Sequence, residues 1–265
     1  MLPKEGPTVT SPETRDPSPA VSRAMGILRA LETAGAPLTL SEIARDIGIA
    51  KSSASNICQA LEHEGMIQRA ENGYRLGLRT AEIGAAFAAQ FNQVREFFAV
   101  VESDPLLRDQ VVQIAMLDAP DAIYLARHEG RAERLGTPLG SRLPLIYCAV
   151  GNAMLLAMGE GELDSTLTAS SFTPKTERSV TTSAQVRAKV LEGRERGYAI
   201  DRGESFAGVH GVAVPLDPWQ PGDPRMALGV ALGASEADDE TVAAIGTALL
   251  AAAERLTNPL SRRPD

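Results

Sequence analysis

Apolar positions in the first third of the chain follow helical spacing three times and then switch to strand spacing. Val21, Ala24, Ile27, Leu28 and Leu31 share one face of a first helix that Ser22 can cap, and Gly35 to Pro37 ends it. Thr39 or Ser41 caps a second helix, with Ile43, Ala44 and Ile47 inward, and Gly48 supplies the turn. A third helix from about Lys51 to His63 turns Ala54, Ile57, Cys58 and Leu61 inward and stops at Gly65. Met66 to Arg69 and Tyr74 to Leu78 then flank Glu71-Asn72-Gly73, and Asn-Gly between extended runs signals a hairpin. Two short helices around a glycine turn, followed by a β-ribbon, form the layout of a winged helix-turn-helix. Such a unit places one helix in the DNA major groove.

From Arg79 to about Val101 the pattern predicts one long amphipathic helix carrying Ile83, Phe87, Phe91, Val94 and Phe98. It would link domains and pair with a partner chain, or serve as a plain core helix. Beyond it, Val111 to Leu117 and Ala122 to Arg127 read as a hairpin, followed by a helix from about Ile146 to Met158. Thr182 caps a helix running to Arg196 and closed by Gly197; Tyr198 to Ile200, Val209 to Leu216 and Met226 to Leu232 are strands. An Ala-rich helix from Asp239 to Leu256 closes the chain. Helices interleaved with hairpins predict an α+β domain with a mostly antiparallel sheet. The expected organisation is a disordered, proline-rich tail at 1–20, a winged helix-turn-helix at 21–78 and a linker helix at 79–101. A second domain follows at 102–258, with a tail at 259–265.

Composition narrows the class. At 265 residues, 44% hydrophobic and 23% charged, the chain has the make-up of a soluble protein with room for two domains. The absence of a long apolar run and of a basic-then-apolar leader predicts no membrane association and a cytoplasmic setting. Cys58 and Cys148 form no framework or metal-ligand spacing. The net charge of −8 looks wrong for a DNA binder, but it is unevenly spread. Between Val21 and Arg79 seven basic residues meet six acidic ones, so the acidic excess lies elsewhere and phosphate contact is permitted.

The third helix would carry the DNA chemistry. A helix start presents free N–H groups and a positive dipole end. Ser52 and Ser53 add hydroxyls there and Lys51 adds a charge, which suits phosphate anchoring; a plain N-cap role uses the same geometry. Ser55, Asn56 and Gln59 follow on the exposed face, and Asn56 is the first choice for base readout, since Asn and Gln can pair bidentately with adenine. Thr39 and Ser41 at the second helix start, and Arg69 and Arg75 beside the hairpin, can reach flanking phosphates; solvated wing arginines are the alternative.

Val21-Ser22-Arg23-Ala24, the segment Leu38 to Gly65 and Tyr74 to Gly77 resemble, in that order, the opening, helix-turn-helix and wing exit of the IclR family of bacterial transcriptional regulators. Gly140 to Ala157, Phe172 to Thr176, Arg194 to Asp201 and Gly208 to Leu216 are similar to further segments of the same family. The resemblance implies a GAF-like effector-binding domain, a dimer or tetramer, and a repressor acting on double-stranded DNA with two half-sites. Where the family often has a basic residue in the recognition helix, this chain has Asn56.

The resemblance also implies a pocket with an acid, a cysteine, two serines and helix-start N–H groups. The acid is kept as Asp201, while the cysteine position falls at Gly211 and the serine positions at Gly229 and Ala231. A frequent histidine is Ile146. Losing a thiol and two hydroxyls is expected to enlarge the cavity and remove hydrogen-bond partners. That favours an effector larger or less polar than glyoxylate or pyruvate, such as an aromatic acid, an amide or a hydrazide. Met116, Tyr124, Leu143 and Tyr147 are expected to line walls, and the N–H groups at Cys148 and Ala149 to hold an anion. His210 could hydrogen-bond a carbonyl or carboxylate if it pointed inward, but strand alternation from Gly211 favours sending it outward, to the surface.

Two rival readings remain at this stage. The glycines at 208, 211 and 229 could instead permit close backbone packing, in a domain that only oligomerises. An enzyme needs a constellation that is missing: His63, His128 and His210 fall in no nucleophile or zinc pattern, and Asp201 with Glu204 lacks a partner base. No catalysis, cofactor or metal is expected. Cys148 at a helix start is either an activated thiol or a buried inert one.

Overall fold

The computed structural model describes residues 16–130 and 135–258. Of the tails expected at 1–20 and 259–265, residues 1–15 and 259–265 lie outside the described residues. The chain divides between Phe87 and Ala88 into two compact units. No helix among the described residues is long and apolar enough to cross a membrane.

In the first unit, α1 (Pro19–Ala34), α2 (Leu40–Asp46) and α3 (Lys51–His63) precede the hairpin β1 (Ile67–Ala70) and β2 (Gly73–Leu76), and α4 (Leu78–Ala88) follows. Helix α1 starts earlier than expected: Ser18 is its N-cap, Pro19 opens it with a preset φ, and residues 19–20 belong to the helix rather than to a tail. Ile27, Leu31, Ile43, Cys58, Ile67 and Tyr74 form the core of this unit. The hairpin is present, with Ala70 paired to Gly73, so Glu71 and Asn72 are the turn residues. Gly73, at φ +146°, serves a different end: a Cβ there would lie 2.2 Å from the Leu38 carbonyl oxygen. Its bare backbone lets Leu38 and Tyr74 exchange hydrogen bonds at 2.9 and 2.8 Å, which ties the entry to α2 to the wing.

In the second unit, α5 (Asn92–Ser103) and a 3-10 turn (Leu107–Asp109) lead into β3 (Val111–Asp118) and β4 (Asp121–Glu129). Next come β5 (Arg142–Pro144), α6 (Ala149–Leu156), α7 (Glu160–Ala169) and α8 (Ser183–Arg196). The unit closes with β6 (Ala199–Asp201), β7 (Val209–Leu216), β8 (Met226–Gly233) and α9 (Asp239–Arg255). The six strands form one antiparallel sheet in the order β5-β4-β3-β8-β7-β6. Thr182 closes a capping box with Gln185 at the start of α8, as its sequence predicts.

The single helix expected over 79–101 is two helices. Phe91 is extended (φ −110°, ψ 117°) as the N-cap of α5, and the break moves the apolar stripe. Val94, Phe97, Val100 and Val101 are buried, whereas Phe98, placed inward by the sequence pattern, is 46% exposed. Helix α4 buries none of its residues. A repeat read across an extended residue loses its phase, because each helix sets its own face.

Both faces of the sheet are covered, and they differ in side-chain size. Val212, Val214, Leu216, Leu228, Val230 and Leu232 pack with α5 and α9 in one core. Ala115, Ala213 and Ala227 belong to the other, with α6 and α8. Gly211 and Gly229 continue that small-residue face: a Cβ on Gly211 would lie 2.7 Å from the Ala149 Cβ, and one on Gly229 2.8 Å from a Val150 methyl. Helix α6 therefore lies directly on the backbone of β7 and β8. Ala213→Leu, at a fully buried position under α6, should destabilise the second unit by roughly 1–3 kcal/mol through overpacking. Urea unfolding followed at Trp219, the single tryptophan, reports that unit; an unchanged midpoint would show that α6 has slack.

Candidate nucleic-acid interface and ligand cavity

Helix α3 is amphipathic in the expected sense. Ala54 and Cys58 are buried, while Ser52, Asn56, Gln59 and His63 are exposed on the opposite face and Ser53 and Ser55 are half-buried. Its N-cap is Ala50, with no side-chain cap, so the serines are not used as caps and the first-turn N–H groups point outward without a side-chain acceptor. Lys51 is exposed beside them. This combination of unengaged donors, hydroxyls and an ammonium matches what a phosphate requires.

The other expected DNA residues are more committed. The Thr39 hydroxyl accepts from the Glu42 N–H at 3.3 Å, and Glu42 accepts from the Thr39 N–H at 2.8 Å; this capping box holds α2. Ser41 is exposed in the first turn of α2. Arg69 donates to Glu62 at 3.2 Å and lies 5.2 Å from the Tyr74 ring centroid, so it braces the wing on α3. Arg75 stands cross-strand from Gln68, whose amide oxygen, once turned toward it, accepts from Nε at 2.9 Å.

In the second unit, Tyr124, Leu143, Cys148, Ala149, Asp201, Gly211, Gly229 and Ala231 all line one cavity where the start of α6 meets β7 and β8. Two expected residues do not. Met116 packs on the opposite face of the sheet, among residues facing α5 and α9, because unbroken alternation along β3 puts it with Val112 and Ile114 and puts Gln113 and Ala115 on the cavity side. Tyr147 is buried in the core beneath the start of α6, with its hydroxyl donating to the Ser171 carbonyl at 3.4 Å. The expected enlargement is absent as well: Ala149 and Val150 fill the space over Gly211 and Gly229, and the cavity holds about 40 Å³.

Sequence reasoning missed Gln113, Leu135, Thr137, Ser205, Phe206 and His210 in the lining. Gln113 had a signal, as the one amide in an apolar strand, and it is paired with Gly229. Its amide is engaged with the Thr137 backbone at 2.6 and 3.3 Å. His210, expected at the surface, is only 8% exposed. Alternation does take it off the face of Gly211, but segment 202–208 covers that side, and a Cβ on Gly203 would sit 3.8 Å from its ring.

Burial dominates the electrostatics. The Cys148 thiol is pushed up to about 12 by burial, against the N–H of Gly151, so it is an inert thiol rather than an activated one. The Cys148 N–H itself is bonded to the Pro144 carbonyl at 3.4 Å. The Tyr124 hydroxyl is also raised by burial. Asp201 is pushed up to about 7, chiefly by burial and further by the Glu204 charge, while the N–H groups of Glu204 and Gly203 and the Lys189 ammonium oppose the shift. The Glu204 N–H donates to Asp201 at 2.6 Å, and the Glu204 carboxylate is paired with Lys189 at 2.5 Å. Asp201 and Glu204 are thus a structural pair, with the second already neutralised.

The family models "IclR helix-turn-helix domain" and "Bacterial transcriptional regulator IclR C-terminal" match residues 20–71 and 100–258. The chain is 28% identical over 200 residues to the HTH-type transcriptional regulator XynR of Escherichia coli K12, covering 74% of this chain and 79% of that protein. It is 24% identical over 210 residues to the transcriptional repressor AllR of the same organism, covering 78% of each. In fold it is similar to an IclR homologue from Microbacterium hydrocarbonoxydans crystallised with 4-hydroxybenzoate. That match has a TM-score of 0.75 and 21% identity, over 89% of this chain and 97% of the other.

The Asp201 shift has a consequence for stability. A carboxyl that titrates near 7 when folded and near 3.8 when unfolded makes the folded state hold the extra proton between those values. Stability of the second unit should fall as pH rises from about 4 to 7 and then level off, by on the order of 4 kcal/mol at most. Asp201→Asn should be more stable than the parent at pH 8, with the gap closing toward pH 4. Urea midpoints at Trp219 measure this, and a pH-independent gap would mean that Asp201 is ionised throughout.

Proposed function

Because the chain belongs to the IclR family of bacterial transcriptional regulators, we propose that it is a cytoplasmic repressor whose second unit binds a small organic effector. The observation that carries the DNA half is the uncapped start of α3, with Lys51, Ser52 and Ser53 around it and Asn56 further along the same helix. Lys51, Ser52 and Ser53 anchor phosphate, helped by Ser41 and Arg75; Asn56 reads a base, with Ser55 and Gln59 beside it. Thr39 and Arg69 act indirectly, by holding α2 and the wing. A homo-oligomer presents two such helices to half-sites about one DNA turn, or a multiple of it, apart. The repressor sense is supported by the name of AllR.

The effector half rests on the cavity at the start of α6, with Asp201, Tyr124 and Cys148. An effector that prefers one arrangement of the oligomer shifts the half-site spacing by its differential affinity. The effector class is an aromatic or otherwise less polar acid, which the 4-hydroxybenzoate held by the Microbacterium homologue supports. The tightness of the α6 contact favours one alternative, a second unit that only oligomerises. A rise in melting temperature with any saturating metabolite separates the two, since a dry oligomerisation domain does not respond.

Asn56→Ala should weaken operator binding by about 1–3 kcal/mol while leaving non-specific binding nearly unchanged. Lys51→Gln should weaken both alike and lower the salt dependence by about one phosphate contact. Fluorescence anisotropy on operator and random duplexes across a salt series checks both; equal losses for Asn56→Ala on the two duplexes would remove its readout role.

A further inference from the structure

A second recess adjoins the inner cavity. It is an open groove of about 740 Å³ lined by Lys175, Arg178, Ser205, Phe206 and His210, among others, and it shares Ser205, Phe206 and His210 with the inner cavity. Two buried polar atoms at that junction, the Ser205 Oγ and the His210 Nδ1, have no hydrogen-bond partner. Leaving such groups unpaired is costly, so each calls for a partner such as a bound water, an ion or a ligand.

The groove wall is built in advance. The Ser179 hydroxyl accepts the N–H groups of Lys175 and Thr176 at 2.9 Å each and donates to the Glu204 carbonyl at 2.7 Å. The Thr176 hydroxyl donates to the Gly203 carbonyl at 2.7 Å, and Arg178 donates to the Arg202 carbonyl at 3.2 Å. Loop 175–179 is thereby pinned to segment 202–204, and neither the Lys175 nor the Arg178 side chain has an ion pair among the described residues. Glu177 is the one acid in the lining, so the groove carries two cations against one carboxylate. The inner cavity has the opposite character: Asp201 lines it, and no Lys or Arg among the described residues does. An anionic group is therefore disfavoured inside and favoured outside. At about 40 Å³ the inner cavity is also far below the ~300 Å³ at which small-molecule sites begin, whereas the groove is within that range.

We infer that Lys175, Arg178, Ser205 and His210 form an outer subsite that takes the carboxylate of an aromatic acid, whose uncharged end points toward Asp201. This rests on the reading that the second unit binds an organic effector. Lys175 and Arg178 supply the charge, Ser205 and His210 pair with the oxygens as neutral groups, and Phe206, 48% exposed, offers its ring to the ligand body. Burial and the Arg178 and Arg202 charges hold His210 below its ordinary range, which keeps the imidazole neutral.

Calorimetric titration of the full chain with 4-hydroxybenzoate, the neutral 4-hydroxybenzamide and glyoxylate tests this. The acid should bind at least tenfold more tightly than the amide. Lys175→Gln with Arg178→Gln should lower acid affinity at least tenfold, to the level of the amide, and leave amide binding unchanged. Lys175→Gln alone, which breaks no ion pair, should give part of that loss and guards against misfolding of the double variant. Acid binding that survives the double substitution overturns the outer subsite while leaving an effector domain in place. Binding of glyoxylate alone overturns the subsite and the aromatic reading together. A wild-type chain that binds none of the three overturns the subsite and the aromatic reading, while the effector reading stands or falls on the melting-temperature response.

Discussion

The small side chains at Gly211, Ala213, Ala227, Gly229 and Ala231 let α6 lie directly on the sheet, and the second unit is arranged around that contact. Interior packing is dense enough that a displaced methylene is felt. A single Cβ at Gly211 or Gly229 would fall within 3 Å of α6. The opposite face carries the volume instead, with Val212, Val214, Leu228 and Leu232 against α5 and α9. One face is thus a conventional apolar core, and the other is a backbone-to-helix seam. The cavity sits at the end of that seam, where the start of α6 leaves the sheet, so its size is tied to the position of the helix.

The two candidate sites share a physical logic. Each is a place where the fold leaves polar groups without internal partners. In α3 these are the first-turn N–H groups beyond an alanine cap. At the cavity they are the Ser205 hydroxyl and the His210 nitrogen, beside a carboxyl that burial has made hard to ionise. Several other polar groups are closely paired: Thr39 with Glu42, Thr182 with Gln185, and Ser179 with three backbone groups.

Much of the winged helix was legible in the chain itself. Its elements are short and local, and their signals are glycine turns, caps and 3.6-residue spacing, which depend on neighbours a few residues away. The small-residue strands were legible as strands, but their purpose was not. Glycine at 211 and 229 could mean a larger cavity or a closer helix, and only the position of α6 distinguishes them. Met116, Tyr147 and His210 failed for different reasons: a face of β3 that plain alternation assigns to the other core, a side chain that turns into the core before α6 begins, and a loop that covers an outward face. The break at Phe91 carried no proline or glycine to mark it.

By itself, the sequence determined most of the helices and strands and which face of α3 is polar, because these follow from local chemistry and fixed periodicities, while the grouping of Asp201 with Gly211, Gly229 and Ala231 came from the resemblance to the family. The tertiary structure decided how near α6 comes to the sheet, which residues from distant loops meet at His210, and how far the Asp201 carboxyl resists ionisation. Those are matters of burial and long-range contact, which exist only once remote segments have packed together.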